Sequence, residues 1–456
     1  MIYVLQTIVW KVGKNLCINP SGERFERTRF QREGLKPTLG LWDATAISIG
    51  AVIGAGIYVV VGIAAGYAGS ALAVSMILAA LVSVFTALSF CELTAWQPKE
   101  GSIYEYSYQL ISPFAGFLTG WMWVVSNTFA GAAVALGFAS YLHALFPVFP
   151  PNWTAALLCL FFTAINFVGV RQSALFNNVL VVAKLLILGF FVIYGLFHIE
   201  PSNFADFNPF QMGVLSAAFY IFFAYGGFAR AAVVAEEVKD ARKNVPRAIL
   251  LSLLISTAVY VLVGLVAVGL VGASRLAGSN SPLTEAISIT GNAAVTYTVS
   301  AGGLIATASV LLTAILGVSR MMYAMARRGD MPQSLGKLHP AFNTPHYAVW
   351  IVGAAMTMLV LFVDLTSVVA ISTFALLFYY TLANIAALKL KTAKRNYPKT
   401  VSALGAATCL TFLAITLLAK PEAWIIGIAT LIAGTAYHQV KMKFTKNFNF
   451  SSINGG

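Results

Sequence analysis

Ile49-Gly50-Ala51-Val52-Ile53-Gly54-Ala55-Gly56-Ile57 places three glycines within seven residues, in the middle of an apolar stretch, 41–66, that is otherwise long enough to be a membrane-crossing helix. Glycine inside a helix costs about 1 kcal/mol relative to alanine. A break exposed to lipid would also leave backbone polar groups without partners, so such a segment belongs where protein or a cavity surrounds it. The stretch therefore marks a site. Taken alone, Gly50-x-x-x-Gly54 has a second reading, as a small-residue contact between two helices.

Outward from this point the chain repeats the same apolar theme. Of its 456 residues 59% are hydrophobic and 10% charged, and the mean hydropathy is +0.81. Runs of about 20 apolar residues recur, each sufficient to cross a bilayer. Twelve spans are expected, over 41–66, 70–95, 114–145, 151–170, 174–198, 210–235, 247–272, 295–326, 346–363, 366–388, 400–419 and 421–440. The first ten residues are apolar and are followed by a mixed-charge segment without a small-residue cleavage site, so residues 1–40 are read as a tail rather than a signal peptide.

The net charge of +13 raises the question of a nucleic-acid partner, and the position of the charge answers it. With a cytoplasmic N-terminus, all but four of the 29 Lys and Arg fall in inside segments. The exceptions are Arg275 and Lys420 outside and Lys184 and Arg230 within spans. This is the positive-inside bias of a multi-pass protein of the cell membrane with both termini cytoplasmic, its partner surface being the lipid bilayer; no nucleic acid is implied. Cys17, Cys91, Cys159 and Cys409 lack metal-ligand spacing, and the five histidines form no ligating pair, so no metal is expected. No phosphate-binding loop and no Gly-x-Ser-x-Gly elbow is present, which argues against ATP-driven transport and against an enzyme.

A second interruption falls in the sixth span, where Phe222-Phe223-Ala224-Tyr225-Gly226-Gly227-Phe228 sets two glycines in an apolar run. Spans one and six open two groups of five, and paired interruptions at corresponding places point to an inverted-repeat secondary transporter. The pairing sets aside the simple helix-contact reading of Gly50 and Gly54. Unwound backbone there offers N–H groups to an anion and freed carbonyls to a cation. An α-amino acid satisfies both ends, with its carboxylate on the amides around Gly54 to Gly56.

At these residues the chain resembles the amino acid-polyamine-organocation (APC) transporter superfamily, over about residues 35–440. The likeness is carried by Gly50 to Ile57, by Glu92-Leu93 through Pro98 and Gly101 to Tyr104 and Tyr106, by Glu236-Glu237-Val238-Lys239 with Asn244-Val245-Pro246-Arg247-Ala248-Ile249, and by Ser319-Arg320 through Tyr323-Ala324-Met325-Ala326-Arg327 to Pro332. The resemblance implies an all-α, LeuT-like fold. Its expected parts are a first repeat at 41–198, an inverted second repeat at 210–388, two C-terminal spans at 400–440 and a cytoplasmic tail at 441–456, with spans one and six broken. It implies transport of amino acids or related amines without a cofactor. By similarity Ile53, Gly54, Ala55 and Gly56 contact the carboxylate side of the substrate, and Phe223, Ala224 and Gly226 contact its amine and flank the pocket, with Phe223 as a lid.

Lys184 lies 13 residues after Arg171 and 14 before His198, roughly 20 Å from either end of its helix. That is too far to snorkel. A buried ammonium at this depth is expensive unless paired or hydrated, and a desolvated lysine gives up its proton more readily. In the resembling superfamily some proton-coupled members carry a lysine at this place in span five where sodium-coupled relatives hold an ion. Its neighbours by similarity are backbone at Gly50 and Ile53 and the hydroxyl of Ser309. The resulting expectation is proton-coupled symport without sodium. An obligate amino acid or polyamine exchanger with Lys184 as a fixed charge, and a non-transporting amino-acid sensor, are the alternatives. Arg230, six residues from Glu236, is expected to snorkel to the interface. Glu92, Glu105, Glu236 and Glu237 are expected to staple loops, and Asp43 to cap the first span.

Overall fold

The computed structural model describes residues 37–98, 102–168, 174–392, 395–419 and 421–453. Residues 1–36, with Cys17 and most of the expected tail, lie outside the described residues, as do Gly101, Lys99, Arg171, Lys394 and Lys420. The described chain is helical almost throughout. Its one isolated β-bridge joins Leu39 to Val238 in parallel.

The first apolar stretch begins as α1 (Leu41–Val52), passes through a π-turn at Gly56–Val60 and continues as α2 (Val61–Ala68). Gly69 at φ 57° then turns the chain into α3 (Leu72–Trp96). A short helix α4 (Ser102–Leu110) precedes α5 (Pro113–Leu145), α6 (Pro151–Val168) and α7 (Ala174–Leu196). The second interrupted stretch is α8 (Met212–Tyr225), a turn, and α9 (Arg230–Val233). There follow α10 (Ala241–Ala277), with Gly272 out of helical conformation at φ 73°, then α11 (Pro282–Ser288), α12 (Ala293–Arg328), α13 (His346–Phe362), α14 (Leu365–Lys389), α15 (Lys399–Ala419) and α16 (Pro421–Ile453).

Among the described residues, ten helical stretches are long and apolar enough to cross a membrane, Leu41–Trp96 counting as one, and His346–Phe362 is a shorter apolar helix. This is the architecture of a polytopic membrane protein. Each expected span coincides with one of these helices. The short helices α4 and α11 lie in connections where the sequence shows no apolar period. α5 packs on both α12 and α14, and α3 on α8 and α10. α14 buries 83% of its apolar window, whereas Pro421–Lys441 buries 17%, so α14 is interior and α16 peripheral. Leu157, Leu186, Ile193, Leu254, Met358 and Ile432 point outward. An apolar surface this extensive suits lipid.

Candidate functional site

The two interruptions meet. α1 ends with the Ile53 N–H on the Ile49 carbonyl, Ile53 takes an extended conformation (φ −78°, ψ 96°), and the chain is helical again at Ala55. In the other segment the break is a tight turn rather than an unwound strand: the N–H groups of Gly226, Phe228 and Arg230 bond the carbonyls of Phe223, Tyr225 and Gly227. A Cβ on Gly227 would lie 2.6 Å from Val52 N, and one on Gly56 would lie 2.6 Å from Ala224 Cα. No side chain fits at either point, so backbone approaches backbone. This close approach is the physical reason for glycine at both places.

Most carbonyls freed by the breaks are taken by side chains. Tyr260, fully buried on α10, donates to Val52 O at 2.7 Å and to Ala224 O at 3.1 Å. Tyr380 of α14 donates to Gly226 O at 3.0 Å. Ser48 Oγ donates to Phe228 O at 2.9 Å and accepts the Ala231 N–H at 3.1 Å. The sequence reading leaves all these carbonyls to the substrate's ammonium and misses the groups that cover them. The available signal was a tyrosine hydroxyl deep in an apolar run, which needs a partner when buried. The amides behave differently. Gly54, Ala55 and Gly56 open the second half-helix, where the first N–H groups have no acceptor within the helix, and no described side chain accepts from them.

Lys184 stands on α7, 2% exposed, with Nζ donating to Gly50 O at 3.3 Å and Ile53 O at 3.2 Å. Among the described residues no carboxylate comes within ion-pair distance of it. Ser309 turns elsewhere, donating to Ala306 O at 2.9 Å in its own helix. Gly50 faces Asn177, and Gly54 faces Val310 of α12. Ile53, Ala55 and Ala224 are buried; Phe223 is half-buried; Gly226 abuts Leu376 of α14. The structure thus brings the Gly50–Gly56 group, Ala224 and Lys184 together and leaves Ser309 without a hydrogen bond to the lysine.

Arg230 departs from expectation. Its guanidinium donates to Asn127 Oδ1 at 3.4 Å and stands 5.8 Å from the centroid of the Trp123 ring, both on α5, with Gly317 of α12 against it. The interior of the bundle thus holds a head that was expected to snorkel, because Gly317 leaves room for it and the indole face attracts a cation. Two of the acids, Glu92 and Glu105, make the loop contacts expected of them. Glu92 accepts the Asn396 N–H at 3.0 Å, and Glu105 accepts Arg328 Nη1 at 2.6 Å. Asp43 accepts the Gly40 N–H at the start of α1 and also an Asn178 Nδ2 hydrogen at 2.7 Å.

Residues 39–430 match the family described as Amino acid permease. The chain is 34% identical to the methylthioribose transporter of Bacillus subtilis over 379 residues, 79% of this chain and 82% of the relative. It is 31% identical to the branched-chain amino acid permease BcaP of the same organism over 394 residues, 82% and 85% of the two chains. With cationic amino acid transporter 4 of Homo sapiens it shares 30% identity over 389 residues, 80% of this chain and 61% of the relative. Two broken helices joined at mid-bundle and a match over most of the chain lead to one conclusion: the protein belongs to the amino acid permease family of the APC superfamily.

Proposed function

We propose that the protein is a secondary transporter that carries an amino acid across the membrane by alternating access, in symport with a proton loaded on Lys184. The observation that carries this reading is the Lys184 ammonium on Gly50 O and Ile53 O, the carbonyls on either side of the first break. A proton arriving at or leaving that nitrogen changes the hydrogen bonds that hold the break. Substrate binding and proton binding then act on the same backbone, which is what coupling requires. The same ammonium supplies the positive charge that a sodium ion supplies elsewhere, so protons and not sodium drive the cycle.

In this reading the substrate carboxylate sits on the amides of Gly54 to Gly56, and Ile53, Phe223, Ala224 and Gly226 form the wall around it. Counting Leu41–Trp96 as two crossings and His346–Phe362 as one gives twelve, arranged as two inverted five-helix repeats with two further helices. The basic segments near Lys239 to Arg247 and Arg320 to Lys337 face the cytoplasm, with both termini. An amino-acid exchanger is the second reading. It is favoured by the two hydrogen bonds that an ammonium held permanently would make.

Uptake of labelled amino acids into empty proteoliposomes in sodium-free buffer, with and without an inward proton gradient, separates the two. Symport requires wild type to accumulate label only with the gradient and Lys184→Ala to lose that dependence while still binding substrate. Movement only after preloading with unlabelled amino acid, whatever the pH, assigns exchange and makes Lys184 a fixed charge.

A further inference from the structure

Lys184 is not the only cation deep in the bundle. Gly317, which contacts Arg230 Nη1, lies 11 residues from the end of α12 at Arg328, and Asn127 lies 14 residues from the start of α5 at Pro113. At 1.5 Å per residue the guanidinium is about 16–21 Å from these two ends, which share the cytoplasmic side in the proposed topology, and about 27–36 Å from the other ends at Leu145 and Ala293. No carboxylate accompanies it. Every Asp and Glu of the described chain lies in a connection or near the end of a helix, and none forms an ion pair with Arg230 or Lys184. Among the described residues, Lys184 and Arg230 thus both lie against the broken helices with no acid paired to either.

A guanidinium carries five N–H donors arranged for a carboxylate. In the described structure Arg230 spends one of them, on a single amide oxygen at 3.4 Å, and otherwise has an indole face 5.8 Å away. Arg230 is only partly buried, so its remaining donors are open to an anion. Its place ties it to the site. Arg230 is one turn beyond Gly226-Gly227, whose Gly226 O accepts the Tyr380 hydroxyl hydrogen. The guanidinium thus stands between α9, α5 and α12, next to the broken segment.

We propose that Arg230 is a specificity-determining residue that binds a second carboxylate, so that the substrate is an acidic amino acid. This rests on the amino-acid reading above. The α-carboxylate occupies the Gly54–Gly56 amides, and the side-chain carboxylate takes the unused donors of Arg230. The same charge disfavours a lysine or arginine side chain, whose cation would meet a second one with no acid between them.

The test is uptake of labelled glutamate, leucine and lysine by the full-length protein in proteoliposomes, for wild type, Arg230→Gln and Arg230→Lys, each normalised to reconstituted protein and checked for thermal stability. Wild type should prefer glutamate to leucine and leave lysine outside. Arg230→Gln should lower the glutamate-to-leucine ratio by about 10- to 100-fold, the usual weight of a hydrogen-bonded charge. Arg230→Lys should recover part of it. An unchanged ratio, or equal loss for both substrates, assigns Arg230 to packing and overturns the proposal. If leucine moves and glutamate does not, the proposal fails while amino-acid transport stands. If no amino acid moves at all, both fail.

Discussion

Single side chains hold the break open in a defined shape, and Tyr260 holds it most economically. One hydroxyl hydrogen serves two carbonyls, Val52 O and Ala224 O, so at any instant one of them is free to receive another donor. Tyr260→Phe removes that hydrogen without changing the ring. Each carbonyl left bare costs about 1–3 kcal/mol, so the variant should melt several degrees below wild type in detergent, whereas Tyr297→Phe, at a 58% exposed position, should melt with it. Equal melting of the two variants would remove Tyr260 from the account. At this scale the sequence was only partly readable. Lys184 and its depth followed from counting residues, and its two acceptors at Gly50 and Ile53 lie where the family likeness put them. The Arg230 direction did not follow, because proximity to Glu236 says nothing about the space that Gly317 leaves inside.

Elements were more legible than contacts. Glycines in an apolar run are a strong signal, and both interruptions fall where Gly50 to Gly56 and Gly226-Gly227 put them. The form of the second break, a turn with short-range hydrogen bonds at alternate residues Gly226, Phe228 and Arg230, was not legible because its glycines allow either a turn or an open strand. Gly227→Ala tests the close approach directly. Its Cβ would press on the Ala51–Val52 backbone, and overpacking of this kind costs about 1–3 kcal/mol. Substrate affinity and melting temperature should both fall. Gly189→Ala on α7 is the control: a Cβ there meets nothing within 4 Å, and alanine's better helix propensity should leave stability equal or up to about 1 kcal/mol higher. A Gly227→Ala variant that binds and melts as wild type would show that the two breaks do not depend on backbone contact.

The proposed orientation of the whole molecule rests on the distribution of lysine and arginine, a property of the sequence that no helix contact reports. With Cys17 changed to serine, the remaining Cys91, Cys159 and Cys409 are buried, which provides a quiet background for labelling. In intact cells a membrane-impermeant maleimide should label Asp206→Cys, and should label Lys243→Cys only after permeabilisation. Labelling of both from outside would invert or break the proposed topology. The approach to α1 is fastened to the loop after α9. Thr38 and Leu39 donate to Glu237 O at 2.9 Å, Lys239 N returns a bond to Leu39 O at 2.9 Å, and Ser48 ties α1 to the Phe228–Ala231 turn further in. Fastened at two levels, the first half of one broken helix and the second half of the other form a single jaw. A gate on this side would swing as one piece on one hinge, and the alternative of two halves parting independently would have to tear both fastenings at once.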